Sequence, residues 1–344
     1  MSTTLNANET AARVEISNVI DKAIIPAFVQ FDASTTEMQN TVSRLCATPS
    51  NSALRSSQEQ FGSLVQSWGH VEFFRLGPLS TENRLERILF WPDRRGRGLK
   101  QVQNIIRTSD SSAGASDSLG QKSVAVQGML ALEFALFGTG AEKTLTSEIS
   151  FRCNYALAIT GNLNQLSSEL LGHWSDENGI QALWLEPRQD NPLFRNNREQ
   201  LGALIKMIRD GLEIIVAQRL DPFLLEDSAS AKPKSALFWR SSNTVPSLQS
   251  NIEGLQTLVE ASKFETDVGA DEKRVIGGLA FEFENALRAL RKSNFPPAQI
   301  IEDTEIYSHL TYVRIVTNSM LAIVQDRLPA IFGLSSGFSS LDGD

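Results

Sequence analysis

The sequence predicts an all-α chain, built as two helical-bundle domains packed side by side. Three observations carry this. Apolar residues recur at helical spacing, proline, glycine and serine breakers separate the apolar stripes, and no alternating apolar–polar stretch is bounded by turn pairs. Each stripe must face other helices to leave water.

In chain order, a helical segment from about Arg13 to Leu45 is interrupted by Pro26, which predicts a kink or break. Phe61, Leu64, Val65, Trp68 and Val71 form the next stripe, and Gly77-Pro78 and Trp91-Pro92-Asp93 are loops after it. Ser111 to Ser118 is a further loop. Ile159, Leu163, Leu166 and Leu170 make another stripe, followed by a polar stretch from Ser175 to Asn191. That stretch divides the chain into an N-terminal bundle, 1–185, and a C-terminal bundle, 186–344. Asn191-Pro192 reads as a helix start, with Asn191 as cap and Pro192 at the first helical position. Leu201, Leu204, Ile205, Ile208, Leu212 and Ile215 open the second bundle. Breakers at Pro233 and Phe295-Pro296-Pro297 separate it from the stripes Leu279–Leu290 and Leu310–Val324.

Composition narrows the function. Among 344 residues, 32 basic against 40 acidic side chains leave a net charge of −8, the wrong sign for a protein that coats nucleic acid. No apolar run reaches the roughly 18 residues of a membrane-spanning helix. Met1 to Ala12 is polar and has no signal-peptide apolar region, so the chain is cytosolic or begins after a removed leader. Cys46 and Cys153 either form one bridge, closing a loop of about 107 residues, or are two buried free thiols.

One segment stands out chemically. Gln121 to Gly140 reads QKSVAVQGMLALEFALFGTG, and between Val124 and Phe137 only Gln127 and Glu133 are polar. A helix apolar on every side is a buried helix, so Glu133 is expected to be paired, hydrogen-bonded, metal-bound or protonated. Gly128, unfavourable inside a helix, points to close approach by another backbone or a ligand. The simplest structural reading gives Glu133 an Arg or Lys partner on a neighbouring helix, or places it at a domain seam.

Over nearly its whole length the chain resembles the imelysin-like family, also described as iron-regulated protein A-like. The resemblance rests on Trp68 with Phe74-Arg75-Leu76-Gly77-Pro78, on Trp91-Pro92-Asp93 and on Gly128 to Gly138. It extends to Arg240-Ser241 with Asn251 and Gly254-Leu255, and to the ending Gly337 to Asp344. It implies two helical bundles with a functional site near their interface, export to the periplasm or outer surface, often as a lipoprotein, and a link to iron uptake. It also carries a peptidase label. The family signature is GxHxxE; here Gly128 and Glu133 match, but Leu130 stands at the histidine. A histidine one turn from a glutamate could ligate a metal with it, and leucine cannot.

The remaining candidates are fewer. His70, His173 and His309 are distant from Glu133 in sequence, and no HExxH zinc motif is present. Ser241 follows Arg240 without a nucleophile elbow, so the two read as a positioning or anion-holding pair. Arg75 and Arg240 are the candidate cations for Glu133. Arg94 to Lys100 is a basic cluster, read as a solvated loop or an anion contact, and the neighbouring Phe90-Trp91 reads as core. Asp342 lies in a terminal carboxylate group of the kind that suits hard cations.

These residues favour an extracytoplasmic binding or accessory protein with a site at Gly128, Glu133, Arg75, Trp68, Arg240, Ser241 and Asp342. The ligand would be small, or iron or another divalent cation bound through Glu133, and an envelope or iron-uptake protein would be the partner. The rivals are a metal-dependent peptidase with a non-local ligand, in which Glu133 is catalytic, and a scaffold for a protein partner.

Overall fold

The apolar stripes fold as helices. The computed structural model describes residues 16–142, 150–266, 268–293, 296–301 and 303–334, and no strand occurs among them. The main helices are α1 (Ile25–Ala47), α2 (Asn51–Gly69), α3 (Arg97–Thr108), α4 (Met129–Phe137) and α5 (Phe151–Ser175). They continue with α6 (Asn197–Glu213), α7 (Thr244–Ser262), α8 (Ala270–Lys292) and α9 (Thr304–Ala322). Side-chain caps fix several starts. Ser50 accepts from the Ala53 N–H, Asn196 from Glu199, and Asp303 from Glu305 and Ile306.

Helix α1 packs on α2 and α5, α4 packs on α5, α2 and α3, and α8 packs on α9. Helix α7 lies against both α2 and α8, so the apolar core runs on from the earlier helices into the later ones. At the α2–α7 contact the Asn251 side-chain amide donates to the Gly69 carbonyl at 2.9 Å, and a side chain at Gly254 would press on Phe73 and His70. Cys46 and Cys153 form a disulfide that ties the end of α1 to the start of α5, with Cα atoms 5.7 Å apart.

Among the described residues three π-helical turns punctuate the helices, at Ile20–Ile24, Ile214–Leu220 and Ile323–Arg327. A proline follows each by two residues: Pro26, Pro222 and Pro329. Proline has no N–H for the carbonyl four residues back, and its ring crowds that carbonyl. The turn before it therefore widens, and the residue preceding each proline donates five residues back: Ile25 to Ile20, Asp221 to Val216, Leu328 to Ile323. The break expected at Pro26 takes this form.

Two local expectations need correction. Gln121–Gly140 is not one helix: a short 3₁₀ turn, Val124–Val126, and a break at Gln127 precede α4, whose N-cap is Gly128. Asn191 does not start a helix either. It is buried, accepts from the Leu193 and Phe194 N–H groups and donates to the Leu183 and Glu186 carbonyls, so it ties a loop; α6 begins only at Asn197. Met1 to Ala12, Phe295 and the Leu341–Asp344 tail lie outside the described residues.

Candidate ligand cavity around Glu133

Helix α4 carries Glu133, and α5 holds α4 at both ends. In front, Tyr155 donates its hydroxyl to the Val126 carbonyl at 2.7 Å, and Asn162 donates to the Gln127 carbonyl at 3.1 Å. Burial pushes the Tyr155 phenol up, so it stays a donor. The Gln127 side chain accepts from Arg87 and donates to the carbonyls of Gly120 and Lys122, which pins it to the preceding loop, and the chain turns extended at Gly128 before α4. A Cβ on Gly128 would overlap the carbonyl oxygens of Arg87 and Ile88, so the glycine marks the close backbone approach its sequence context implies.

At the far end, Arg152 gathers carbonyls at and just past the end of α4, of which Phe134 and Gly138 also accept backbone N–H groups. It donates to Phe134 at 2.6 Å, Ala135 at 2.8 Å, Thr139 at 2.9 Å and Gly138 at 3.3 Å. Its charge also lies at the negative end of the helix dipole. Burial lowers its pKa to about 10, and it remains a cation at neutral pH.

Glu133 is 1% exposed. Its Oε1 accepts the Ser241 backbone N–H at 3.0 Å and lies 2.8 Å from Ser241 Oγ. That hydroxyl has one proton and is also 3.1 Å from the Phe238 carbonyl, so it serves one acceptor at a time. The loop presenting Ser241 is strained: Phe238 and Ser242, both non-glycine, have φ of 56° and 58°. Hydrogen bonds from Asn243 N–H to the Phe238 carbonyl and from the Thr244 hydroxyl to the Leu237 carbonyl hold it in place. Left-handed backbone of this kind costs free energy and persists where surrounding structure over-determines it.

Burial raises the Glu133 pKa above its ordinary value; the Ser241 hydrogen bonds and the Arg240 charge pull it partly back. Arg240 stacks on the Trp239 ring at 4.4 Å and reaches the Phe134 ring at 5.7 Å. Its own pKa is lowered by burial and raised by Glu133.

A cavity of about 390 Å³ opens beside these groups. Leu130, Glu133 and Phe134 of α4 form one wall, and Trp91 and Asp93 form another. The second π-turn contributes Ala217 and Gln218, and a third wall holds Lys234, Trp239 and Arg240. Trp91, expected in the core, is half-buried and lines the cavity, with its indole N–H donating to the Gln218 carbonyl at 3.0 Å. Of the basic cluster, Arg94 reaches the cavity, while Arg97 begins α3.

The structure thus brings together Glu133, Arg240 and Ser241. It places the other candidates elsewhere. Trp68 is in the core, its ring 5.3 Å from Phe31. Gly128 packs on backbone. Arg75 donates to the Glu72 carbonyl at 3.1 Å beside the buried Glu72–Arg219 ion pair, so the cation that acts on Glu133 is Arg240. Asp342 lies outside the described residues. His70 stands 3.8 Å from Glu253, His309 4.0 Å from Glu305, and His173 is exposed; none lines the cavity.

The donor set around Glu133 does not fit a divalent cation. Leu130 offers hydrocarbon, Glu133 Oε1 is engaged by Ser241, and Arg240 brings a competing positive charge. Asp93 spends both oxygens on the Arg97 and Leu99 N–H groups at the start of α3. Among the described residues no group of three or more His, Cys, Asp or Glu could hold a metal.

The all-helical fold is that of a known class. The family model described as Imelysin matches residues 24–312, and the chain belongs to that family. The fold is similar to that of an imelysin-like protein from Psychrobacter arcticum 273-4, at 16% identity and a TM-score of 0.78, covering 96% of this chain and 98% of that one. It is also similar to a structure from Parabacteroides distasonis ATCC 8503, described as an iron-regulated protein A precursor, at 13% identity and a TM-score of 0.72, covering 92% and 94%. No curated protein matches the chain. Among the described residues no helix is long and apolar enough to cross a membrane.

Proposed function

We propose that the chain is a binding or accessory protein of the imelysin family, and that the cavity beside Glu133 holds a small ligand without running metal-assisted peptide hydrolysis. One observation carries this reading: the carboxyl that the family signature would give to a metal is held by Ser241, faced by Arg240 and flanked by Leu130. In this reading the chain divides into bundles 1–185 and 186–344, and the lining of the cavity from 90–134 and 217–240 supports a site between them. The disulfide supports an oxidising, extracytoplasmic compartment, because such bridges are rare where glutathione and thioredoxin keep thiols reduced. The iron-regulated protein A precursor among the structural neighbours supports a role in iron-linked envelope physiology.

The test is peptide cleavage on an unstructured protein substrate, with zinc or ferrous iron supplied. We expect no cleavage that differs between the wild type and Glu133→Gln. Robust cleavage abolished by that substitution would overturn the reading and favour the metal-dependent peptidase.

A further inference from the structure

We propose that the cavity's ligand is an organic anion with a flat, apolar body, its charge received by Arg240, Lys234 and Arg94 and its body by Trp91, Trp239 and Phe134. This rests on the reading of the cavity as a ligand site. Three cations line the cavity although the chain as a whole carries a net −8. Among the described residues, none of the three side chains forms a salt bridge or donates a side-chain hydrogen bond, although Arg240 lies in the field of Glu133. The Arg240 guanidinium carbon instead lies over the Trp239 ring, 4.4 Å from its centroid, and the Lys234 ammonium lies over the same ring at 5.7 Å. Stacking fixes a guanidinium while leaving its in-plane N–H groups free for a carboxylate or phosphate.

The acidic groups do not cancel this charge. Asp93 is spent on backbone N–H groups, and Glu133 Oε1 is engaged by the Ser241 N–H and hydroxyl. The volume falls in the range of small-molecule sites, about 300–1,000 Å³. The aromatic walls favour a ring over a bare inorganic ion, since stacking and burial of a flat apolar body add to the charge contact.

Calorimetric titration of the whole chain with naphthoate and with its neutral isostere naphthamide tests this, with acetate as the anion lacking a ring. We expect naphthoate to bind about tenfold or more tightly than naphthamide, and acetate to bind far more weakly than naphthoate. In Arg240→Gln and in Lys234→Gln, each checked for an unchanged melting transition, the margin of acid over amide should shrink. Equal affinity for acid and amide would overturn the anion assignment and leave the cavity a ligand site. Acetate matching naphthoate would overturn the apolar body. Binding of none of the three would overturn the anion assignment, and metal-dependent cleavage in the same preparation would overturn the ligand-site reading with it.

Discussion

Replacing Arg152 by leucine lowers the stability of the chain by about 2–3 kcal/mol, the cost of leaving a buried carbonyl without its donor and weakening its neighbours' bonds. The guanidinium serves four carbonyls at the end of α4, and leucine serves none. The Phe134 and Gly138 carbonyls keep the backbone N–H groups of Gly138 and Ala141, and Thr139 is exposed, so the loss falls mainly on the buried Ala135 carbonyl, which water reaches poorly. Arg152→Lys should recover only part of the loss, because an ammonium cannot present the planar fork that spans Phe134, Ala135 and Thr139. Urea denaturation followed by circular dichroism measures both. A loss below about 1 kcal/mol for Arg152→Leu, the worth of one ordinary hydrogen bond, would show that the clamp is dispensable. Because α4 carries Glu133, the same variant should also weaken ligand binding in the cavity.

The disulfide is the second large contribution. Reduction, or the double replacement Cys46→Ser with Cys153→Ser, frees a loop of 107 residues. Chain entropy puts the expected loss near about 4.7 kcal/mol. The bridge joins helices that already pack extensively, so the native arrangement should survive while the unfolded chain gains freedom. The measurable signature is a lower urea midpoint with an all-helical spectrum retained below it. An unchanged midpoint on reduction would mean that the bridge adds nothing beyond the α1–α5 packing.

Much of the fold is legible in the sequence because burial imposes a period. The stripe Ile159, Leu163, Leu166 and Leu170 predicts the inner face of α5, and all four are buried there. The isolation of Glu133 among apolar residues predicts its burial, and Gly128 predicts a close backbone contact. The helix boundary at Gln127 was not legible, since it depends on Arg87 and Asn162, which are remote in sequence. Asn191-Pro192 has the residues of a helix start but bonds into a loop, because a cap works only if the next turn propagates. The aromatic pair Phe90-Trp91 reads as core, but sequence cannot say whether the Trp91 ring meets protein or a cavity. Arg240 and Ser241 came from the family resemblance; their convergence on Glu133 is set by the path of the 237–243 loop, which no spacing rule encodes. Arg152 had no signal beyond being a charge near the start of a helix.

The ionisation of Glu133 tests the site most directly. A buried acid with a raised pKa keeps its proton when the unfolded chain has already lost its own. Between the ordinary value of 4.5 and the raised folded value the native state therefore binds more protons, and stability falls as pH rises. The measurement is a carbon NMR titration of glutamate side-chain carboxyls in the wild type, Glu133→Gln and Arg240→Gln. We predict one resonance that titrates well above the others, is absent from Glu133→Gln, and moves higher still in Arg240→Gln, where a charge favouring the carboxylate is gone. A Glu133 resonance that titrates at or below 4.5, or is indifferent to Arg240, would contradict the buried, Ser241-held acid on which the cavity is built.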